Sequence, residues 1–452
     1  MIDFKKYIAP TLSLLLAAPL ARAFVQEESG GEAAPEEEAQ AEKEEEEDDS
    51  EARWFAVVGG DVYPGPGGVL RGATVLARNG VIKEIGYELF VPEEAEVLDA
   101  TGYRVYPGLI AIASFGLFGG ASDIENTVDP FSRNMVLGLA SGITTAVQSG
   151  QAAKLKRGEI EGVVLASNVL APVSFTVRNP SAKREWRDKF ASAAEYLRKY
   201  RRWEEDVKKD KELKEPSDKG VDKTVVRVLK GEVLAQFDAD ERTDLVEIAR
   251  LAQQYGFRPV VDGCGEGWTV AEELGRARAF AIVTPRYRRT KDENLVREGG
   301  SSIENAALLY RAGVQLAIVP GSRGIDLGGI VGRDIMHLPI EAGFAVRGGL
   351  PERAALDAIT IGPARIIGLD HRIGSLEVGK DCDLIVTDGD VLHYQTFVQW
   401  AVVDGKQVYD KEKELYFAHI RPRPEPALAP ETKLDAGENP PEEAAEREGD
   451  DG

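Results

Sequence analysis

The sequence predicts an α/β fold. Repeated strand–helix units build a parallel sheet, closed as a (β/α)8 barrel or open as a doubly wound sheet, beside a small β domain drawn from both chain ends. Three observations predict this: β-rich hairpins just after residue 53, a matching set near residue 400, and a strand–helix rhythm between them. The 452-residue length suits one barrel plus a small accessory domain, and 43% hydrophobic residues can fill a large core.

The first hairpins are Phe55–Val58, Ala73–Ala77 and Val81–Ile85, the last two joined by Asn79-Gly80, a type I′ turn signal. At the other end Asp383–Thr387, Gln399–Val403 and Lys406–Tyr409 follow the same plan around Asp404-Gly405. In the middle, Val233–Phe237 reads as a strand. Leu245, Ile248, Ala252 and Tyr255 then mark one helical face, which Gly256 can end. Arg258–Val261 is the next strand, Thr269–Leu274 the next helix and Phe280–Thr284 the next strand. Ser301 and Glu304 form a capping box for a helix through Ala312, Gly313 caps its end, and Val314–Val319 is another strand. Residues 183–222 break the rhythm: Trp186, Phe190, Ala193, Leu197 and Tyr200 share a helical face, then a charged run from Lys208 to Lys223 follows. This reads as a helical insertion with a solvated tip.

The formal net charge of −22 is unevenly spread. Residues 24–52 carry 14 acidic groups and one lysine, residues 425–452 carry 10 acidic and two basic groups, and the body between them stands at −3. An acidic chain of this kind is not a nucleic-acid binder. The runs flanking the body, about 24–53 and 419–452, are too polar to offset their chain entropy by burial and are expected to be disordered. These acidic tails are candidate contacts for envelope or protein partners.

Residues 1–23 have the form of a secretory signal peptide. Lys5 and Lys6 precede an apolar stretch from Ile8 to Leu20, and Ala21-Arg22-Ala23 is a small-x-small cleavage site. The apolar run is short for a bilayer span, so the expectation is an exported protein, periplasmic or extracellular, with no membrane span after processing. Two cysteines, Cys264 and Cys382, then sit in a compartment that permits a disulfide, but far apart in sequence they read first as two small buried side chains.

Val105-Tyr106-Pro107-Gly108-Leu109-Ile110, Ala355–Thr360 with Pro363–Gly368, and Ile373–Val386 followed by Val403-Asp404-Gly405-Lys406 resemble the amidohydrolase superfamily, in its imidazolonepropionase-like branch. The resemblance covers most of residues 54–418. It implies a barrel over 107–371 and a composite β-sandwich from 54–106 and 372–418. It further implies a metal-dependent hydrolase acting on non-peptide carbon–nitrogen bonds. The family's ligands would be a His-x-His pair after the first strand, histidines after the fifth and sixth, and an aspartate after the eighth. Here those positions fall on Ala113 and Phe115, Asp238, Gly263 and Gly321. Ala113 and Phe115 have no donor atom, so conventional two-metal catalysis is not expected and no cofactor is assigned, although a hard divalent cation on carboxylates stays open.

The whole chain has four histidines, His337, His371, His393 and His419, none spaced as a ligand pair. Only His337 can follow the last barrel strand to the mouth. Asp238, Asp240, Asp262 and Glu266 fall at the ends of two neighbouring strands, where a barrel builds its site. They form either a remnant site or ordinary loop carboxylates. Asp238 and Asp262 are the catalytic candidates. Glu266, Arg323, Asp326, Arg333 and His337 are the substrate-binding candidates, the last four in or just after a glycine-rich loop that lacks a phosphate-loop pattern. Two functions stay open: a hydrolase with an altered site that takes a small-molecule ligand, or a non-catalytic exported binding or scaffold protein.

Overall fold

The computed structural model describes residues 52–65, 68–119, 123–211, 213–290, 298–326 and 332–414. The expected signal peptide, most of the acidic linker, the C-terminal tail and His419 lie outside the described residues. Its strands run in chain order as β1 (Trp54–Val62), β2 (Leu70–Arg78), β3 (Val81–Gly86), β4 (Glu96–Asp99), β5 (Arg104–Pro107) and β6 (Leu109–Ala111). Then come β7 (Ile143–Gln148), β8 (Gln151–Lys154), β9 (Val164–Ser167), β10 (Leu170–Val173), β11 (Leu234–Ala239) and β12 (Pro259–Gly263). The last are β13 (Phe280–Val283), β14 (Gln315–Ile318), β15 (Leu384–Thr387), β16 (Val398–Val403) and β17 (Lys406–Asp410).

Both chain ends enter a single eight-stranded sheet, ordered β17-β16-β15-β5-β1-β2-β3 with β4 paired to β1. Its two predicted hairpin turns are present, because Asn79 and Gly80 have φ of 51° and 82°, and Asp404 and Gly405 of 48° and 62°, as type I′ turns require. The two turns also touch. A Cβ on Gly80 would lie 2.9 Å from the Asp404 carbonyl oxygen, so only glycine meets both demands there. Gly80→Ala is expected to lower stability by at least about 1–2 kcal/mol, read from urea unfolding midpoints.

The middle of the chain gives five parallel strands, β10-β11-β12-β13-β14, and a second sheet β6-β7-β8-β9 whose first pair is parallel. Strand–helix repetition stops after β7. Ser149 and Gly150 take φ of 51° and 77° and turn the chain straight back into antiparallel β8. Among the described residues the middle of the chain therefore forms two sheets, beside the eight-stranded one, within a mixed α/β fold, and the strand–helix repeat is not continuous. Residues 358–359 touch both sheets: Ile110 N donates to Ile359 O and Ile318 N to Ala358 O, each at 2.9 Å.

Alternation along β11 sorts its side chains. Ala235, Phe237 and Ala239 are buried on one face, while Gln236 and Asp238 lie on the other. Phe237 packs with Phe257 and, through it, with Phe190 of the helix Pro180–Asp206. That helix begins at Asn179, whose side chain accepts from Ala182 N, and buries Phe190, Ala193 and Leu197 as predicted. An inner cluster joins Ile110, Val147, Leu170, Val260, Ile282 and Ala317 across the two sheets and forms an apolar floor.

The other boundaries shift by one to four residues. The predicted cap at Ser301 is corrected. Its hydroxyl instead bonds the backbone of Arg289, and the helix spans Asn305–Arg311 from Glu304 without a side-chain cap, while Ser302 Oγ accepts from Glu304 N at 3.2 Å ahead of it. No helix among the described residues is long and apolar enough to cross a membrane. Both cysteines are free and buried, and burial pushes both thiols up, so they pack as small side chains.

Candidate functional site

The C-terminal ends of β11 and β12 bring the catalytic candidates together. Asp238 and Asp262 stand opposite each other in the parallel register of these strands. Asp262 is buried, and both of its oxygens are held by Arg323 in a two-pronged pair at 2.9 and 2.5 Å, with Gln236 Nε2 donating at 3.1 Å. Arg323 reaches this position because β14 ends at Ile318 and the following loop folds over the mouth, with Phe115 N donating to Arg323 O at 3.1 Å. The Phe115 ring lies directly on Gly324, where a Cβ would come within 2.2 Å of a ring carbon. Asp238 is exposed, yet partial desolvation, and then the charges of Asp262 and Asp240, push its carboxyl above the ordinary aspartate value, with Arg323 opposing.

Beside this group lies an open cleft of about 410 Å³. Arg323 and Gln236 are its directing side chains, and Ile112, Phe115, Val147 and Leu170 supply apolar wall. The size is that of a small-molecule site.

The remaining candidates go elsewhere. Glu266 is buried as a structural tie, accepting from Gly300 N at 2.8 Å and Arg242 N at 3.0 Å. That role answers its local need, since a carboxylate satisfies one loop N–H and the first N–H of the helix Arg242–Tyr255 there. Asp240 accepts from Gly265 N and the Tyr287 hydroxyl at 2.9 and 3.2 Å. Asp326 meets Asp334 through its backbone N–H, Arg333 is exposed, and His337 turns away from the mouth to pair with Asp334. Cys264 is fully buried and offers no thiolate to the mouth.

A metal at the mouth does not fit these residues. Ala113 and Phe115 bring no donor atoms, and the buried carboxylate that remains is already neutralised by a guanidinium. Among the described residues one set of carboxylates lies close enough to share a cation, Asp381, Asp383 and Asp404, so the expectation of no cofactor does not cover the whole chain. In this structure the cation at that set is the Lys154 ammonium, 2.7 Å from Asp381 and 2.8 Å from Asp383, and paired also to Asp404. Lys154 is fully buried, and Lys156 and Arg372 complete the cluster at 2.6 and 2.9 Å. Burial opposes its charge, but the carboxylates of Asp383, Asp404 and Asp381 prevail and hold its pKa above the ordinary lysine value. Sequence reasoning missed Lys154 altogether. Its three partners lie 227 to 250 residues away, and a lysine after two alanines carries no signal.

Comparison with known proteins gives a consistent set of likenesses. Residues 288–410 match the amidohydrolase family. An amidohydrolase, tasK, of Hapsidospora irregularis is 30% identical over 95 residues, covering 21% of this chain and 10% of that protein. N-acetylglucosamine-6-phosphate deacetylase of Danio rerio is 37% identical over 68 residues, covering 15% of this chain and 16% of that protein. The chain thus spans only a small fraction of the length of the curated relatives it matches. Among solved structures, an amidohydrolase from Thermotoga maritima MSB8 superposes with a TM-score of 0.61 at 24% identity, over 79% of this chain and 100% of that one. Molinate hydrolase superposes with a TM-score of 0.51 at 18% identity, over 84% of this chain and 99% of that one. Both are likenesses of fold.

Proposed function

We propose that this chain, whose fold and residues 288–410 belong to the amidohydrolase superfamily, takes a small molecule with an amide- or urea-type carbon–nitrogen bond into the cleft lined by the segments after β6 and β7, by β10, and by Gln236 and Arg323, and hydrolyses it without a two-metal centre. The observation that carries this reading is Arg323. Its guanidinium is held at the mouth by the Asp262 carboxylate and also lines the apolar-walled cleft. The N–H groups that Asp262 does not engage can donate to the oxyanion that forms when water adds to a carbonyl. Asp238, exposed and raised in pKa, is the group suited to take the proton from that water and return it to the leaving nitrogen. The carbon–nitrogen bond then breaks as the carbonyl re-forms.

A second reading, a binding protein without turnover, is favoured by the engagement of both Asp262 oxygens, which leaves Asp238 as the one available carboxylate of the pair. One experiment separates the readings. The purified protein is assayed for bound metal by elemental mass spectrometry and against a panel of amides and ureas, with and without chelator. The expected result is turnover that survives chelation. Binding without turnover supports the second reading, and stoichiometric metal whose removal abolishes activity overturns the metal-free hydrolase.

A further inference from the structure

A second cavity, of about 290 Å³, shares no lining residue with the mouth cleft. It lies between the helices Arg133–Ala140 and Leu338–Arg347 and the β15–β16 connection, and it brings together two of the chain's four histidines, His337 and His393. Its body is apolar, with Leu137, Met336, Ile340 and Val398 among the lining side chains.

The ring nitrogens of these histidines are fixed in opposite senses by their partners. His337 Nδ1 faces Asp334 Oδ1 in a short contact. Asp334 is buried and its other oxygen accepts from Asp326 N at 3.2 Å, so this carboxylate acts as an acceptor and Nδ1 carries the proton. With a single ring proton, the lone pair is on Nε2. His393 Nδ1 instead accepts from the Gln395 N–H at 3.3 Å, which requires the lone pair on Nδ1 and the proton on Nε2. Tyr394 packs on the His393 ring at 4.8 Å. The neighbouring hydroxyls of Ser141, Thr387 and Thr396 already donate to backbone carbonyls.

We propose that this cavity is a binding site for a small apolar alcohol or phenol, whose hydroxyl donates to His337 Nε2 and accepts from the His393 Nε2 proton. A hydroxyl matches the pair because it donates and accepts at once. Its apolar body suits the walls, and the volume, near the lower end of roughly 300–1,000 Å³ for small-molecule sites, suits a single ring. An amine cation or a carboxylate would satisfy one imidazole and oppose the other.

The test uses p-cresol and its O-methyl ether, titrated into the full chain by ligand-observed NMR, together with long-range ¹⁵N spectra of the histidine rings. Cresol is expected to bind at least about tenfold tighter than the ether, the equivalent of one hydrogen bond. His337→Phe should remove that difference, while Arg323→Ala at the other cleft should leave it. The ring spectra of the unaltered protein should show His337 protonated at Nδ1 and His393 at Nε2. Equal affinity for the two probes, a reversed pair of tautomers, or cresol binding unchanged when Leu137→Trp fills the cavity would each overturn the proposal.

Discussion

Lys154→Met is expected to lower the unfolding free energy by about 3–5 kcal/mol, the cost of leaving buried carboxylates without their cation. Lys156 and Arg372 remain beside the cluster, but each meets only one of the three acids. Urea unfolding of the variant at pH 7 measures the loss, and a change under about 1 kcal/mol would show that these neighbours and water replace Lys154. The pH dependence follows in sign. Because the Lys154 pKa is raised in the folded chain, its contribution is complete below its ordinary value of 10.5 and fades as pH climbs through the raised value. On the acid side Asp404 adds the opposite dependence. Burial works against its charge, but Lys154 and Lys156 outweigh it and hold its carboxyl below the usual 3.8, so its share is present above that value and is lost as pH falls through the lowered one. Lys154→Met should flatten both limbs.

The second large effect concerns turnover. Asp238→Asn keeps the shape of the side chain and removes its basicity, and on any amide or urea the protein hydrolyses it should reduce kcat by about 10²–10⁴-fold with little change in KM. The unaltered protein should lose activity at its acid limb above pH 3.8, since desolvation and the charges of Asp262 and Asp240 raise the Asp238 carboxyl. Asp262→Asn should move that limb to lower pH, because it deletes a repelling charge and leaves the opposing Arg323 in place. An unchanged kcat in Asp238→Asn would take the base role from this residue.

Much of the architecture was legible because it is written in short-range signals. Asn79-Gly80 and Asp404-Gly405 announce turns whose positive φ angles few other residues accept, and the 3.6-residue spacing of Phe190, Ala193 and Leu197 announces a buried helical face. The departure after β7 is also local, since Ser149-Gly150 is a turn pair with positive φ at both residues. At the mouth, the residue types of Asp238, Asp262 and Arg323 were enough to nominate them, whereas the grip of Arg323 on Asp262 joins residues 61 apart and depends on a loop path. Glu266 was harder to read for a related reason. A buried carboxylate looks the same in sequence whether it serves a ligand or nearby backbone, and only its partners, Gly300 N and Arg242 N, decide.

The shared eight-stranded sheet has a consequence for how the chain comes to be folded. β5 is covered by β15, with Pro107 opposite Leu384, and β1–β3 emerge from the ribosome long before β15–β17 exist. During synthesis β5 therefore presents a bare backbone edge, a template for unwanted strand pairing, until nearly the whole barrel-like middle has been made. The order of emergence thus makes the long middle region fold within an unclosed bracket. A nascent chain halted before residue 384 should be held by chaperones or aggregate through that edge, while one released after Asp410 can pair it internally.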